Sequence, residues 1–232
     1  MNVRAGVKRR WGSPLPRSFY ARRTLVVARA LLGRVLVCGR GRNRVAGRIV
    51  EVEAYRGAAD PASHAYRGPT PRTAVMFGPA GHAYVYFTYG MHYCLNLVTE
   101  AEGVAAAVLL RALEPLEGQA LMRRRRAPAG RPPANAALAR GPGNLARALG
   151  LTTKDTGLDL VRGPLWVSDL ATHRGGRRIL ALPRVGIRVA TERRWRFLLE
   201  GHPSASAPRR APKRAGRRAG RRAGPSQSRD RR

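Results

Sequence analysis

Two aromatic and β-branched runs, Ala83 to Thr88 and Tyr93 to Val98, are joined by Tyr89-Gly90-Met91-His92. Strand-forming runs separated by a short segment with Gly at the bend fold as a β-hairpin. The rest of the domain must therefore accommodate an antiparallel pair. Before it, the spacing of Leu25, Ala28, Leu31 and Leu32 predicts a helix within residues 22 to 36, and Val35–Cys38 and Val45–Tyr55 read as strands. After it, Val104–Leu113 reads as a buried strand, and a helix is expected from Pro115 through Arg126. Residues 127 to 137 form a Pro- and Gly-rich loop, and a short helix, Asn144–Leu149, follows a Gly-Pro-Gly turn. Several short strands are expected between Leu160 and Leu199. Strands outnumber helices and neighbour one another in sequence, which predicts an α+β domain with an antiparallel sheet. The domain contains no internal repeat.

The charge balance narrows the partner. Of 232 residues, 45 are Lys or Arg and 13 are Asp or Glu, a formal net charge of +32. Residues 1 to 18 contribute +5, residues 19 to 202 contribute +17 and residues 203 to 232 contribute +10. Self-repulsion at the density of the middle segment opposes compaction unless a polyanion is the working partner, which points to nucleic acid. A coding bias toward G and C is the competing explanation, since 42 of the 45 basic residues are Arg. Such bias exchanges Lys for Arg but does not remove acids.

Three segments follow: a basic N-terminal extension (1 to 18), a domain (19 to 202) and a basic Arg-, Ala-, Gly- and Pro-rich tail (203 to 232). The tail has no Ile, Leu, Val or aromatic residue to bury, so disorder is expected there. No apolar run approaches the roughly 20 residues of a membrane span, the N-terminus lacks a signal-peptide core, and there are only two Cys. A soluble cytoplasmic protein, nucleoid-associated and without membrane contact, is expected.

Acids are scarce enough to search for a catalytic carboxylate by elimination. Most of the twelve in the domain fall in turns or at helix starts, where capping or solvation is the default. In Ile49-Val50-Glu51-Val52-Glu53-Ala54-Tyr55, alternation puts Val50, Val52 and Ala54 on one face and Ile49, Glu51, Glu53 and Tyr55 on the other. That second face is either a functional surface or an ordinary solvent-facing strand edge. The hairpin holds four of the chain's seven Tyr, at 84, 86, 89 and 93. Tyr84 suits a core strand, whereas an aromatic ring at the bend, Tyr89, suits a wedge entering a DNA groove.

Five blocks together resemble the alkyladenine (methylpurine) DNA glycosylases: IVEVEAYRG (49 to 57), DPASHAYRGPTPRTAVMF (60 to 77), HAYVYFTYGMHYCLNLV (82 to 98), VLLRALEPLEG (108 to 118) and GPGNLARALG (141 to 150). The resemblance covers about residues 17 to 202 and is weakest over residues 123 to 140 and in the C-terminal third. It implies a single α+β domain with a curved antiparallel sheet, flanking helices and a protruding β-hairpin, using neither metal nor organic cofactor. The implied activity is excision of alkylated or deaminated purines, of the 3-methyladenine, 7-methylguanine, hypoxanthine and ethenoadenine class, from double-stranded DNA by a monomer. The purine must leave the stack before C1′ can be reached.

By the same resemblance, Glu53 is the general base that activates water, and Arg111 helps hold that water and the neighbouring phosphate. A buried Arg paired with a carboxylate is the plainer alternative for Arg111, compatible with that role. Tyr55, His64 and Tyr86 match residues packed around the flipped base, and Asn96 matches the residue that crowds the 2-amino group of guanine. Tyr89 matches the residue filling the vacated space from the minor groove, with Met91 and His92 beside it. His92 departs from the aromatic expected there, and Glu51 shares the strand face of Glu53, where like charges raise a carboxyl pKa.

Composition separates reaction types. A glycosylase that also cuts the backbone uses an amine to form a Schiff base, and the chain has only Lys8, Lys154 and Lys213. A monofunctional glycosylase leaving an abasic site is expected. Zinc-dependent deamination is disfavoured, since no P-C-x-x-C element accompanies a His. The alternative of a different class is a non-catalytic nucleic-acid-binding module on the same sheet and hairpin.

Overall fold

In the computed structural model, which describes residues 10–39, 41–127, 131, 133–170 and 173–206, short helices α1 (Arg17–Tyr20) and α2 (Thr24–Leu31) lead into β1 (Val35–Cys38) and β2 (Val45–Tyr55). A long loop and α3 (Ala74–Phe77) precede the hairpin of β3 (Ala83–Thr88) and β4 (His92–Val98). Then come β5 (Ala107–Glu117), α4 (Gln119–Arg126), α5 (Pro142–Leu149), β6 (Leu165–Val167), β7 (Ile179–Leu182) and β8 (Arg196–Leu199). Among the described residues these make five helices and one open eight-stranded sheet of order β3-β4-β5-β2-β1-β6, every pair antiparallel. The single domain is α+β, as expected. On the edge opposite β5, β2 pairs first with β1 and then, through residues 51 to 53, with β8, which also pairs with β7.

The core explains which face each strand turns inward. Val50, Val52 and Ala54 of β2 pack with Leu31, Val108, Leu110, Leu145 and Leu149 beneath α2 and α5. Burying each large aliphatic side chain stabilises the fold by about 1.5–3 kcal/mol relative to leaving it exposed. Ile49 lies in this same cluster, not on the carboxylate face that simple alternation assigned to it. The β2/β5 register shifts between Ile49 and Glu51 and again between Glu51 and Val52, leaving Val50 and Arg111 without direct partners. Irregularities of this kind re-aim side chains.

Pro115 belongs to β5, paired with Gly47, and the helix begins four residues later than expected. β4 covers β5 only at residues 107 to 109, so near Pro115 the ring sits where no further strand needs its missing N–H. Gly118, at φ 73°, then turns the chain into α4.

The folded body extends past both expected boundaries. Leu15 is buried and its amide donates to the Val167 carbonyl at 2.8 Å, while Trp11 Nε1 donates to Glu117 at 2.6 Å. At the other end Ser204 is buried and Ser206 contacts Glu51. Residues 10–18 and 203–206 thus pack against the domain. The expectation of disorder for residues 207–232, like the charge of residues 1–9, concerns segments outside the described residues.

Candidate active site

Glu51 and Glu53 are fully buried, Glu51 beneath residues 203–206 and Glu53 beneath the segment that carries Val185. The solvent-facing reading of this strand is therefore wrong. Glu53 Oε1 accepts from the Val185 amide at 2.8 Å and is ion-paired with Arg111 Nη1 at 3.2 Å, and Oε2 accepts from the Tyr55 hydroxyl at 2.9 Å. All three partners are donors, which suits an acceptor-only carboxylate, and Oε2 keeps a lone-pair direction free of protein donors. Burial, the Glu53 charge and its hydrogen bond all push the Tyr55 phenol well above its ordinary pKa, so Tyr55 remains a donor. Burial disfavours the charge on Arg111, but Glu53 and Glu51 outweigh it and raise its pKa. The plainer reading of Arg111 is what the structure shows, a buried side chain paired with two carboxylates, and the same side chain borders the cavity.

That cavity, of about 310 Å³, lies over this floor. Its wall includes Tyr55, His64, Tyr84, Tyr86, Asn96 and Arg111. Every residue matched to the base pocket therefore borders one space, with Glu53 directly behind Tyr55 and Arg111. His64 stacks edge-on against Tyr86 at 4.5 Å between ring centroids, and its Nδ1 lies 3.0 Å from the Tyr84 hydroxyl. Burial, then the Arg72 charge, lowers the His64 pKa, so the ring is neutral at physiological pH. Asn96 is fixed by donating from Nδ2 to the Tyr84 carbonyl at 3.1 Å.

The hairpin bend forms the rim. Tyr89 and Gly90 both have positive φ, 51° and 67°, and the Met91 amide closes the turn on the Thr88 carbonyl at 3.3 Å. Holding a Tyr in the left-handed region costs about 1–2 kcal/mol. Tyr89 is 80% exposed and Met91 70%, so the turn presents two apolar side chains to solvent. His92 lies apart from them: a Cβ on Gly143, at the start of α5, would be 2.8 Å from its ring.

With this geometry in place, comparison with known proteins decides the lineage. The family model for methylpurine-DNA glycosylase matches residues 18–203. The chain belongs to the methylpurine-DNA glycosylase family. Three relatives carry the name "Putative 3-methyladenine DNA glycosylase". The one from Burkholderia lata is 47% identical over 210 residues, covering 86% of this chain and 94% of the relative. The one from Frankia casuarinae is 52% identical over 204 residues, with 82% and 91% covered. A third, from an Anaeromyxobacter species, is 50% identical over 196 residues, with 83% and 92% covered. As a methylpurine-DNA glycosylase the chain is a DNA-repair hydrolase of N-glycosyl bonds, with DNA as its substrate.

This glycosylase also uses residues that its sequence does not single out. Arg184 is buried, pairs with Asp60 through both nitrogens of its fork (Nη2 to Oδ1 2.8 Å), and donates to the Ala54 carbonyl at 3.0 Å. Its guanidinium stacks 4.7 Å from the Tyr55 ring centroid. The next residue, Val185, supplies the amide that holds Glu53, so the Arg184–Asp60 pair anchors the segment after β7 that walls the cavity. Among 42 arginines nothing in sequence distinguishes Arg184. Among the described residues no three His, Cys, Asp or Glu side chains converge as a metal site, and no helix is long and apolar enough to cross a membrane.

Proposed function

We propose that the protein is a monofunctional glycosylase, acting as a monomer on duplex DNA in the nucleoid, that flips out alkylated or deaminated purines and hydrolyses their bond to C1′. The observation that carries this reading is the buried Glu53, held by Tyr55, Arg111 and the Val185 amide at the back of an aromatic cavity rimmed by an exposed Tyr. As the glycosidic bond stretches, positive charge develops on the sugar. Glu53 stabilises it and takes a proton from water as the water oxygen bonds to C1′. The bond electrons leave with the purine: a cationic alkylpurine departs as the neutral base, a deaminated one departs as an anion that takes up a proton equivalent to the one drawn from water, and an abasic site remains. Tyr55, His64 and Tyr86 offer aromatic faces to an electron-poor purine, and Asn96 crowds a 2-amino group.

The test is release of free 3-methyladenine or hypoxanthine from duplex oligonucleotides carrying one lesion. Salt-sensitive binding without release of any purine would overturn the reading in favour of a binding module.

Tyr89 and Met91 would occupy the space the base leaves. Replacing Tyr89 with Gly removes the ring and relieves the positive-φ strain. That relief of about 1–2 kcal/mol is offset by the roughly 0.5–1 kcal/mol that Gly costs in chain entropy, so stability should hold or rise by up to about 1 kcal/mol while lesion binding weakens by about 1–3 kcal/mol. Thermal melts alongside titration with an abasic-site duplex would check both; unweakened binding argues against the wedge.

The eleven basic residues after Ala207 are assigned nonspecific phosphate contacts. A chain ending at Ala207 should lose affinity at low salt and show a shallower dependence of log K on log salt, with single-turnover excision retained. Excision that collapses at saturating enzyme would mean that the tail belongs to the site.

A further inference from the structure

We propose that Glu51, completed by Ser206, is a positioning residue that divides the Arg111 guanidinium between two carboxylates and keeps Glu53 available to water. This rests on the role of Glu53 proposed above.

An Arg beside a buried carboxylate favours a bidentate fork, two parallel N–H donors on two oxygens. Such a fork on Glu53 would occupy the oxygen that must receive a proton. Arg111 instead directs Nε to Glu51 at 3.0 Å and Nη1 to Glu53 at 3.2 Å. Glu51 holds that nitrogen because its own place is over-determined. Its Oε1 also accepts from Arg196 Nη1 at 3.1 Å, and its Oε2 from the Ser206 amide at 2.7 Å. The Ser206 hydroxyl lies 2.6 and 2.7 Å from the two oxygens, and Arg196 Nη1 reaches that hydroxyl at 3.4 Å.

Ser206 thus contributes two of the donors around a fully buried charge, yet it lies three residues beyond the region matched by the family, which ends at 203. Its neighbours are pinned as well: Ser204 is buried, and Arg140 Nη2 donates to the Pro203 carbonyl. Residues 203–206 form a strap whose last contact sets the carboxylate that sets Arg111.

The test uses the full chain on duplex DNA methylated to contain 3-methyladenine, with S206A, E51Q and the double variant beside E53Q. Single-turnover rate constants at saturating enzyme, reaction amplitudes and duplex Kd are measured. S206A should slow excision about tenfold, the scale expected of a small misplacement, with amplitude and Kd unchanged. E51Q should slow it further, and the double variant should match E51Q within about twofold, because both changes act through one contact.

A merely structural role would lower amplitude or melting temperature and leave the rate constant of the folded fraction alone. An S206A rate constant equal to wild type, or losses that multiply in the double variant, would overturn the inference. If E51Q does not fold, the S206A rate constant alone decides. Undiminished excision by E53Q would instead overturn the role of Glu53 and this inference with it, which the S206A result cannot do.

Discussion

Glu53→Gln is expected to remove base release while leaving the fold and DNA binding intact. The Gln carbonyl can occupy the place of Oε1 and keep both of its donors, the Val185 amide and Arg111. The amide nitrogen then faces the Tyr55 hydroxyl, which can accept as well as donate. The Tyr55 O–H loses its protein acceptor but borders the cavity, and Arg111 keeps Glu51, so the loss of stability should not exceed about 1–3 kcal/mol. An amide cannot take a proton from water, nor can it stabilise a developing cation as an anion does. Loss of a positioned general base costs roughly 10²–10⁴-fold. Single-turnover release of 3-methyladenine or hypoxanthine should fall by that factor, with duplex Kd unchanged. Excision that survives undiminished in E53Q would sink the mechanism.

The largest effect on stability is expected at Asp60. Asp60→Ala strips a fully buried Arg184 of both acceptors of its fork and leaves the Arg56 and Ala62 amides without their side-chain acceptor. Breaking a buried pair from one side costs about 3–5 kcal/mol, because the remaining charge is uncompensated. For a domain of this size that lowers the melting temperature by on the order of 10 °C. The substituted side chain touches no substrate, so a thermal melt is the direct measurement. A shift of about 3 °C or less, which is what about 1 kcal/mol implies, would mean that Arg184 finds water or another acceptor. Since Val185 follows Arg184, excision by the folded fraction should also slow.

These two sites differ in how visible they are in the sequence. The shared face of Glu51, Glu53 and Tyr55 was legible because alternation along a strand is a local rule, and β2 obeys it from Glu51 to Tyr55, whereas the choice of Glu53 came from the family resemblance. The hairpin was legible for the same reason, its Gly marking the bend. Locality also explains the errors. A register shift moved Ile49 to the core face, and Pro115, read as a helix start, is tolerated where β5 has no second strand beside it.

Burial was not legible, since a strand face open to solvent and one covered by distant segments, here those carrying Val185 and Ser206, share the same period. Nor was Arg184, whose partner Asp60 lies 124 residues away and whose residue type is the commonest charge in the chain. Residues 10–18 and 203–206 carry mostly small, polar or basic side chains. Their attachment runs through backbone groups and a few single side chains, Trp11 on Glu117, Arg17 on Asp159 and Ser206 on Glu51, which no composition window detects.

The reach of the Ser206 contact also bears on the order of assembly. It closes a loop of 155 residues onto Glu51, and the strand just before it in sequence, β8, must already lie along β2. Closing a loop of this length costs more chain entropy than turning the hairpin, and contacts at such separations slow folding. The hairpin and the β2–β5 ladder can form while Glu51 still lacks its last donors. The donors that Ser206 brings to Glu51 are therefore expected among the later contacts to form, after the hairpin and the β2–β5 ladder.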